Sequence, residues 1–271
     1  MLKRVLLTCA LIMLAPVAMA AVVVPHRAIY DLKLLRSSEG AAIGAVTGRM
    51  AYEVTGNGCD GWTVNFRLVN QFDYKEDNSR LIDTRSSSWE TGDGREMNYS
   101  QSEFVDNKPQ GEKRLSVARA EKNGPGEGSI SLPEAKKFSI TGETIFPMQH
   151  QLRLMDTAAK GEARDTSLIY DGSDGENSVR AISTIGKKID AGTNKQDTGN
   201  PTAAPLLALP SWPVSIAYYS TDEANAETPL YQISFDMYAN GVSTGLIMDY
   251  GNFVLEGKLS KLEFLKQETC N

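Results

Sequence analysis

Histidine is the scarcest versatile catalytic residue in this chain, with His26 and His150 the only two among 271 residues. General-base, metal-binding or triad chemistry would have to recruit one of them. His26 lies just beyond an apolar leader and His150 near the start of a helical pattern, and neither falls in a metal-ligand spacing. No Gly-x-Ser-x-Gly nucleophile elbow is expected, so both histidines are read as structural and the chain as non-enzymatic. Asp171, Asp174 and Glu176 cluster in a turn that could hold calcium. They depart from the EF-hand loop, which wants ligands at alternating positions and glycine at the sixth, so a solvated turn is expected. Asp73 and Glu76 form a carboxylate pair of a kind too common in an acidic chain to assign as acid and base. No cofactor and no metal are expected.

Of the three cysteines, Cys9 lies inside the apolar run Val5 to Val17, which follows Lys3 and Arg4 and closes on Ala18-Met19-Ala20. That pattern is a secretory signal peptide, expected to be cleaved so that the mature chain begins at Ala21 outside the cytoplasm, in the periplasm. Lipidation at Cys9 is not expected. The remaining pair, Cys59 and Cys270, is expected to form a structural disulfide, because an exported chain keeps no thiol reduced and the pair is not a Cys-x-x-Cys redox motif. Removing Lys3 and Arg4 takes the 28 basic residues to 26 against 34 acidic ones. The mature chain then carries about eight net negative charges, which argues against nucleic acid or an anionic membrane surface as partners. With no repeat at a fixed period and no long linker, residues 21–271 are expected to form one domain.

The elements that must position these residues are mainly strands. Ala28, Tyr30, Leu32 and Leu34 alternate with polar neighbours, as do Met50, Tyr52 and Val54, then Trp62, Val64, Phe66 and Leu68. Gly56-Asn57-Gly58 reads as the turn between the last two, with Cys59 at the hairpin end. A second hairpin is expected from Leu168–Tyr170 through Asp171–Gly175 to Val179–Ile185. A third runs from Tyr231–Met237 through an Asn240-Gly241 type I′ turn to Leu246, Met248 and Tyr250. In the long strand Val254–Leu265 the apolar parity shifts between Leu259 and Leu262, which predicts a bulge or a stretch buried on both faces. The segment Thr198–Pro213, rich in proline and alanine, is expected to be an extended loop entering the strand Val214–Tyr219.

One segment breaks the pattern. Pro147 suits a first helical turn, and Met148, Leu152, Met155 and Ala159 recur at helical spacing before Gly161. A lone helix in an antiparallel β chain covers an open sheet end or plugs a barrel. Met148, Leu152 and Met155 are therefore expected to be permanent core or, should the interior hold an apolar molecule, the ligand-facing positions.

Several strings in fixed order add a resemblance. Pro25-His26-Arg27-Ala28-Ile29-Tyr30-Asp31-Leu32, Gly48 to Glu53 leading to Gly58-Cys59, Phe146-Pro147, Tyr170-Asp171-Gly172-Ser173, Trp212-Pro213-Val214, Tyr238 to Ser243 and Gly257-Lys258-Leu259 span nearly the whole mature chain. Together they resemble the envelope integrity protein B family of periplasmic alphaproteobacterial proteins. The resemblance implies an antiparallel sheet wound into a β-spiral or incomplete β-barrel with a helix packed at its interior, and a bridge between Cys59 and Cys270. It further implies a role in envelope integrity under stress, a periplasmic tetratricopeptide-repeat partner, and a shape similar to carriers of lipids and outer-membrane lipoproteins. Two functions follow as expectations: support of the envelope through protein–protein interaction, or carriage of a lipid or lipoprotein acyl chain in the interior. An envelope hydrolase is the minor third.

Overall fold

Fifteen strands form a single sheet in the order β8-β7-β6-β5-β4-β3-β2-β1-β15-β14-β13-β12-β11-β10-β9. The computed structural model describes residues 22–270 apart from 76–77, 196, 198 and 223–226. The expected signal peptide with Cys9, the start at Ala21, Glu76 and Thr198 lie outside the described residues. β1 (His26–Ser37) sits at the middle, paired on one side with β2 (Ile43–Asn57) and on the other with β15 (Phe253–Phe264). From β1 the chain winds outward as a meander through β3 (Gly61–Tyr74), β4 (Ser79–Glu90), β5 (Glu96–Val105), β6 (Lys108–Arg119), β7 (Gly126–Leu132) and β8 (Lys136–Ile140). It then crosses to β9 (Thr144–Ile145), forms α1 (Pro147–Ala159), and returns through β10 (Arg164–Ile169), β11 (Val179–Ile185), β12 (Ser211–Ser220), β13 (Tyr231–Tyr238) and β14 (Ser243–Asp249) to β15. Every pairing is antiparallel except β9 with β10.

The result is a spiral whose two edge strands, β8 and β9, are consecutive in the chain but not hydrogen-bonded to each other. A buried arginine spans that seam. Arg119, at the end of β6, donates from Nη1 to the Gly124 carbonyl at 2.6 Å and from Nη2 to the Thr144 carbonyl, with its guanidinium 5.1 Å from the centre of the Phe146 ring. Burial pulls its pKa below the usual arginine value. It stays charged, and backbone carbonyls rather than a carboxylate solvate it.

Alternation decides which face is inside. Ala28, Tyr30 and Leu32 of β1 are buried, while Asp31 and Lys33 are exposed. The expected parity shift in β15 is a bulge at Ser260: Ile29 pairs with Lys261, but Tyr30 pairs with Leu259. The expected hairpins form at β10–β11 and β13–β14. The latter turn differs in type. Only Gly241, at φ 84°, takes a positive φ, and its N–H reaches the Tyr238 carbonyl at 2.9 Å. That is a turn with negative φ at its two central residues followed by a left-handed glycine, where a type I′ turn would need positive φ at Asn240 as well.

The β2–β3 turn falls at Gly58–Asp60, slightly later than expected, because Asn57 continues the ladder opposite Gly61 and its Oδ1 accepts from the Cys59 and Asp60 amides. The expected extended loop before β12 contains a 3₁₀ helix, Pro201–Leu206. Asn200 caps it by accepting from the Thr202 amide, and Pro201 fixes the first φ. Leu206 and Ala203 are fully buried, and Asn200 anchors to the Leu259 carbonyl. β12 itself starts earlier than expected, at Ser211. Between Tyr74 and Thr144, where sequence reading assigns no element, the structure places five strands, β4 to β8.

Candidate functional site

α1 lies across one end of the spiral. Gly161, at φ 75°, ends it as expected, with its amide on the Ala158 carbonyl. At its start, Phe146 occupies the cap position and has no side chain able to accept from the first-turn amides. The acceptor comes from the sheet. Glu90, at the end of β4, takes the Met148 amide at 3.1 Å on each carboxylate oxygen. Its residue exposure is 1%, and desolvation pushes its pKa up to about 8 against the amide hydrogen bonds that pull it down. Nothing in the local sequence marks Glu90, since the strand that carries it lacks clear apolar alternation; an aromatic residue where a polar cap belongs is the only hint.

Beneath the helix is a cavity of about 340 Å³, within the range of small-molecule pockets. The helix contributes Pro147, His150, Gln151 and Leu154 to its wall. These positions, spaced three, four and seven apart, form one stripe. The expected ligand-facing residues lie on the neighbouring one: Met148 and Met155 are buried and Leu152 is half-buried in the cluster with Trp62, Ile185 and Trp212, outside the cavity wall. Period alone identifies a face that packs, and the angle at which the helix crosses the sheet decides which part of that face meets the space.

Both histidines face this one cavity, a convergence that 123 intervening residues conceal in the sequence. His26 shares the inward parity of Ala28 and Tyr30, its Nδ1 lies 2.6 Å from the Val24 carbonyl, and its ring centre is 5.8 Å from that of Tyr52. Burial lowers its pKa, and the hydrogen bond to Val24 opposes that. His150 is also buried, and desolvation takes its pKa down to about 4, although Asp165 stands 3.8 Å from Nε2. Asp165 is already held by Arg153 and Ser167, at 2.5 and 2.6 Å. Both rings are therefore neutral near pH 7.

The expectation that no Gly-x-Ser-x-Gly string occurs is corrected by Gly241-Val242-Ser243-Thr244-Gly245. That string runs from the β13–β14 turn into the start of β14, not through a strand-to-helix elbow, and among the described residues no Ser or Thr hydroxyl is hydrogen-bonded to either histidine. Ser243 does line the cavity, and its carbonyl accepts from the Tyr30 hydroxyl at 2.6 Å.

The rest of the cavity wall includes Phe66, Ile216, Ile233, Phe235, Tyr218, Tyr231 and Asp171. Here an aromatic row begins. Tyr218 stacks on Tyr231 at 4.5 Å, Tyr231 on Tyr250 at 6.2 Å, Tyr250 on Phe253 at 5.0 Å, and Phe253 meets Phe72 edge-on at 5.9 Å. Asp171 accepts from the amide and hydroxyl of Ser173, while Asp174 and Glu176 engage Asn177 and Lys136. The three carboxylates thus serve separate partners, and no metal-binding cluster occurs among the described residues. Asp73 lies on β3; its expected companion Glu76 is outside the described residues.

Cys59 and Cys270 are joined in a disulfide with their Cα atoms 5.6 Å apart. The bridge ties the β2–β3 turn to the segment after β15, at the helix-covered end. No helix among the described residues is long and apolar enough to cross a membrane.

A spiral meander closed at one end by a helix, with an aromatic cavity beneath, defines an incomplete β-barrel protein. Residues 17–266 match the EipB-like family model, and the chain belongs to that family. It is 35% identical over 249 residues to the cell envelope integrity protein EipB of Brucella abortus, covering 92% of this chain and 87% of that one. The crystal structure of a β-barrel-like protein from Brucella abortus superposes with a TM-score of 0.82 at 33% identity, covering 91% of this chain and all of that one.

Proposed function

We propose that this chain is an exported, non-catalytic protein that supports cell-envelope integrity by holding an acyl chain or similar apolar group in the cavity beneath α1. The cavity carries this reading. Its wall is largely aliphatic and aromatic, and each methylene moved from water into such a space is worth about 0.8 kcal/mol. The name of the Brucella relative supplies the envelope role, and the cavity supplies a means. Fold likeness alone would supply neither.

Native mass spectrometry of the protein purified from the periplasm, followed by organic extraction, tests it. The expected result is a stoichiometric acyl-bearing ligand released on unfolding. A bare mass, together with no uptake of a fluorescent apolar probe and no difference between the parent and a cavity-filling Ile233→Trp variant, would overturn it. Docking of a protein partner, such as the tetratricopeptide-repeat protein implied by the family resemblance, is the second reading. It is favoured by β8, which leaves one strand edge without a hydrogen-bonded neighbour at the seam.

A further inference from the structure

The polar groups at the helix end of the cavity have largely committed their protons elsewhere. Tyr30 donates its hydroxyl proton to the Ser243 carbonyl at 2.6 Å, and Tyr52 donates to Gln151 Oε1 at 3.4 Å. Gln151 in turn donates from Nε2 to the Gly241 carbonyl at 2.9 Å. A carbonyl only accepts, so the 2.6 Å contact between His26 and Val24 places the imidazole proton on Nδ1. In the neutral ring Nε2 is then a bare lone pair. His26 is 1% exposed and lines the cavity, no hydrogen bond among the described residues reaches Nε2, and that atom keeps contact with the cavity space. An acceptor so placed is satisfied by water or by the donor of a bound molecule.

We propose that the cavity selects an uncharged amphiphile whose polar end is an alcohol, with the ligand O–H donated to His26 Nε2 and the alkyl chain directed along Phe66 and Phe235 toward Tyr231. This deepens the carrier reading and rests on it. An alcohol can also accept from the Ser243 hydroxyl or from the second N–H of Gln151, so both of its hydrogen-bonding capacities have partners. An anionic head group fits poorly. Neither lysine nor arginine lines the cavity, and Asp171 in its wall adds negative charge. An ether offers only acceptors to a ring nitrogen that already has a lone pair. An ammonium could donate, but no carboxylate stands in the wall beside His26 to offset its desolvation.

The test compares decan-1-ol with 1-methoxynonane, which has the same number of heavy atoms and no O–H, and with decanoate and decylamine, each measured by displacement of a fluorescent apolar probe near pH 7. Decan-1-ol is expected to bind about five- to tenfold more tightly than the ether, the effect of one net hydrogen bond. In His26→Phe the ratio is expected to fall to about one while the ether keeps its affinity. His26→Gln, which offers an amide oxygen in place of the lone pair, guards against a folding defect and is expected to retain part of the preference. Equal affinities for alcohol and ether, or tightest binding of decanoate or decylamine, would overturn the alcohol assignment and leave the carrier reading standing. Failure of every probe to bind would remove the carrier reading, and this inference with it.

Discussion

The two ends of the spiral are built on opposite principles. At the helix end a disulfide, the buried Glu90 side chain capping the helix, and hydrogen bonds from Tyr52 to Gln151 and from Gln151 to Gly241 tie elements distant in sequence into one assembly. At the other end the cavity is bordered by stacked rings, with Leu230 at 52% and Tyr250 at 38% exposure. Directional and covalent interactions fix a position, whereas ring stacking tolerates sliding.

Breaking the tied end should have the largest effect. Cys59→Ser or Cys270→Ser opens a loop with a sequence separation of 211, and the chain-entropy model gives an upper limit of about 5 kcal/mol. A melting temperature unchanged from the oxidised parent would deny the bridge its structural role. Leu154→Ala comes next, at about 3 kcal/mol, because Leu154 is 2% exposed and belongs both to the packed cluster and to the cavity wall. Denaturant titration measures this cost. A loss below 1 kcal/mol would mean that the helix is only loosely seated.

The third prediction concerns pH. The Glu90 carboxyl, pushed up to about 8 from 4.5, binds its proton more tightly folded than unfolded. Its contribution to stability is therefore complete below about pH 4.5 and lost as pH rises through about 8. The lowered pKa of His150 acts in the opposite sense, favouring unfolding as pH falls from 6.5 toward about 4. Between about pH 7 and 9 the carboxyl acts without that opposition, so the melting temperature should fall across this range and Glu90→Gln should flatten the slope. An equal slope in the variant would remove Glu90 as its source. The smallest effect is expected at the aromatic end, where Tyr250→Ala should cost about 1 kcal/mol and leave that pH slope unchanged. A loss as large as that of Leu154→Ala would erase the contrast between the two ends.

Legibility in the sequence follows where side chains pack. β1 buries one face, so its alternation reads clearly, and even the Ser260 bulge of β15 appears as a parity shift. β4 does not. Its run Thr84 to Ser88 is polar and half-exposed on both faces, and its buried Asp83 sits between Arg67 and Arg85, with the Arg67 hydrogen bond foremost in holding its carboxyl down at about 2. An ion pair replaces the apolar residue on which pattern reading depends. The helix was legible in extent but not in orientation, since periodicity at Met148, Leu152 and Met155 carries no information about what lies opposite.

The sequence by itself determined a mainly β chain with one helix, the pair of cysteines available for a bridge, and the family to which the chain belongs, because strand alternation, helical spacing and ordered motifs are properties of neighbours along the chain. Tertiary structure alone decided that His26 and His150 share a cavity, that Glu90 caps a helix 58 residues away, and that Leu154 rather than Leu152 faces the open space. Those relations depend on the sheet's winding and on the angle at which α1 crosses it. Both are set by packing among residues far apart in sequence.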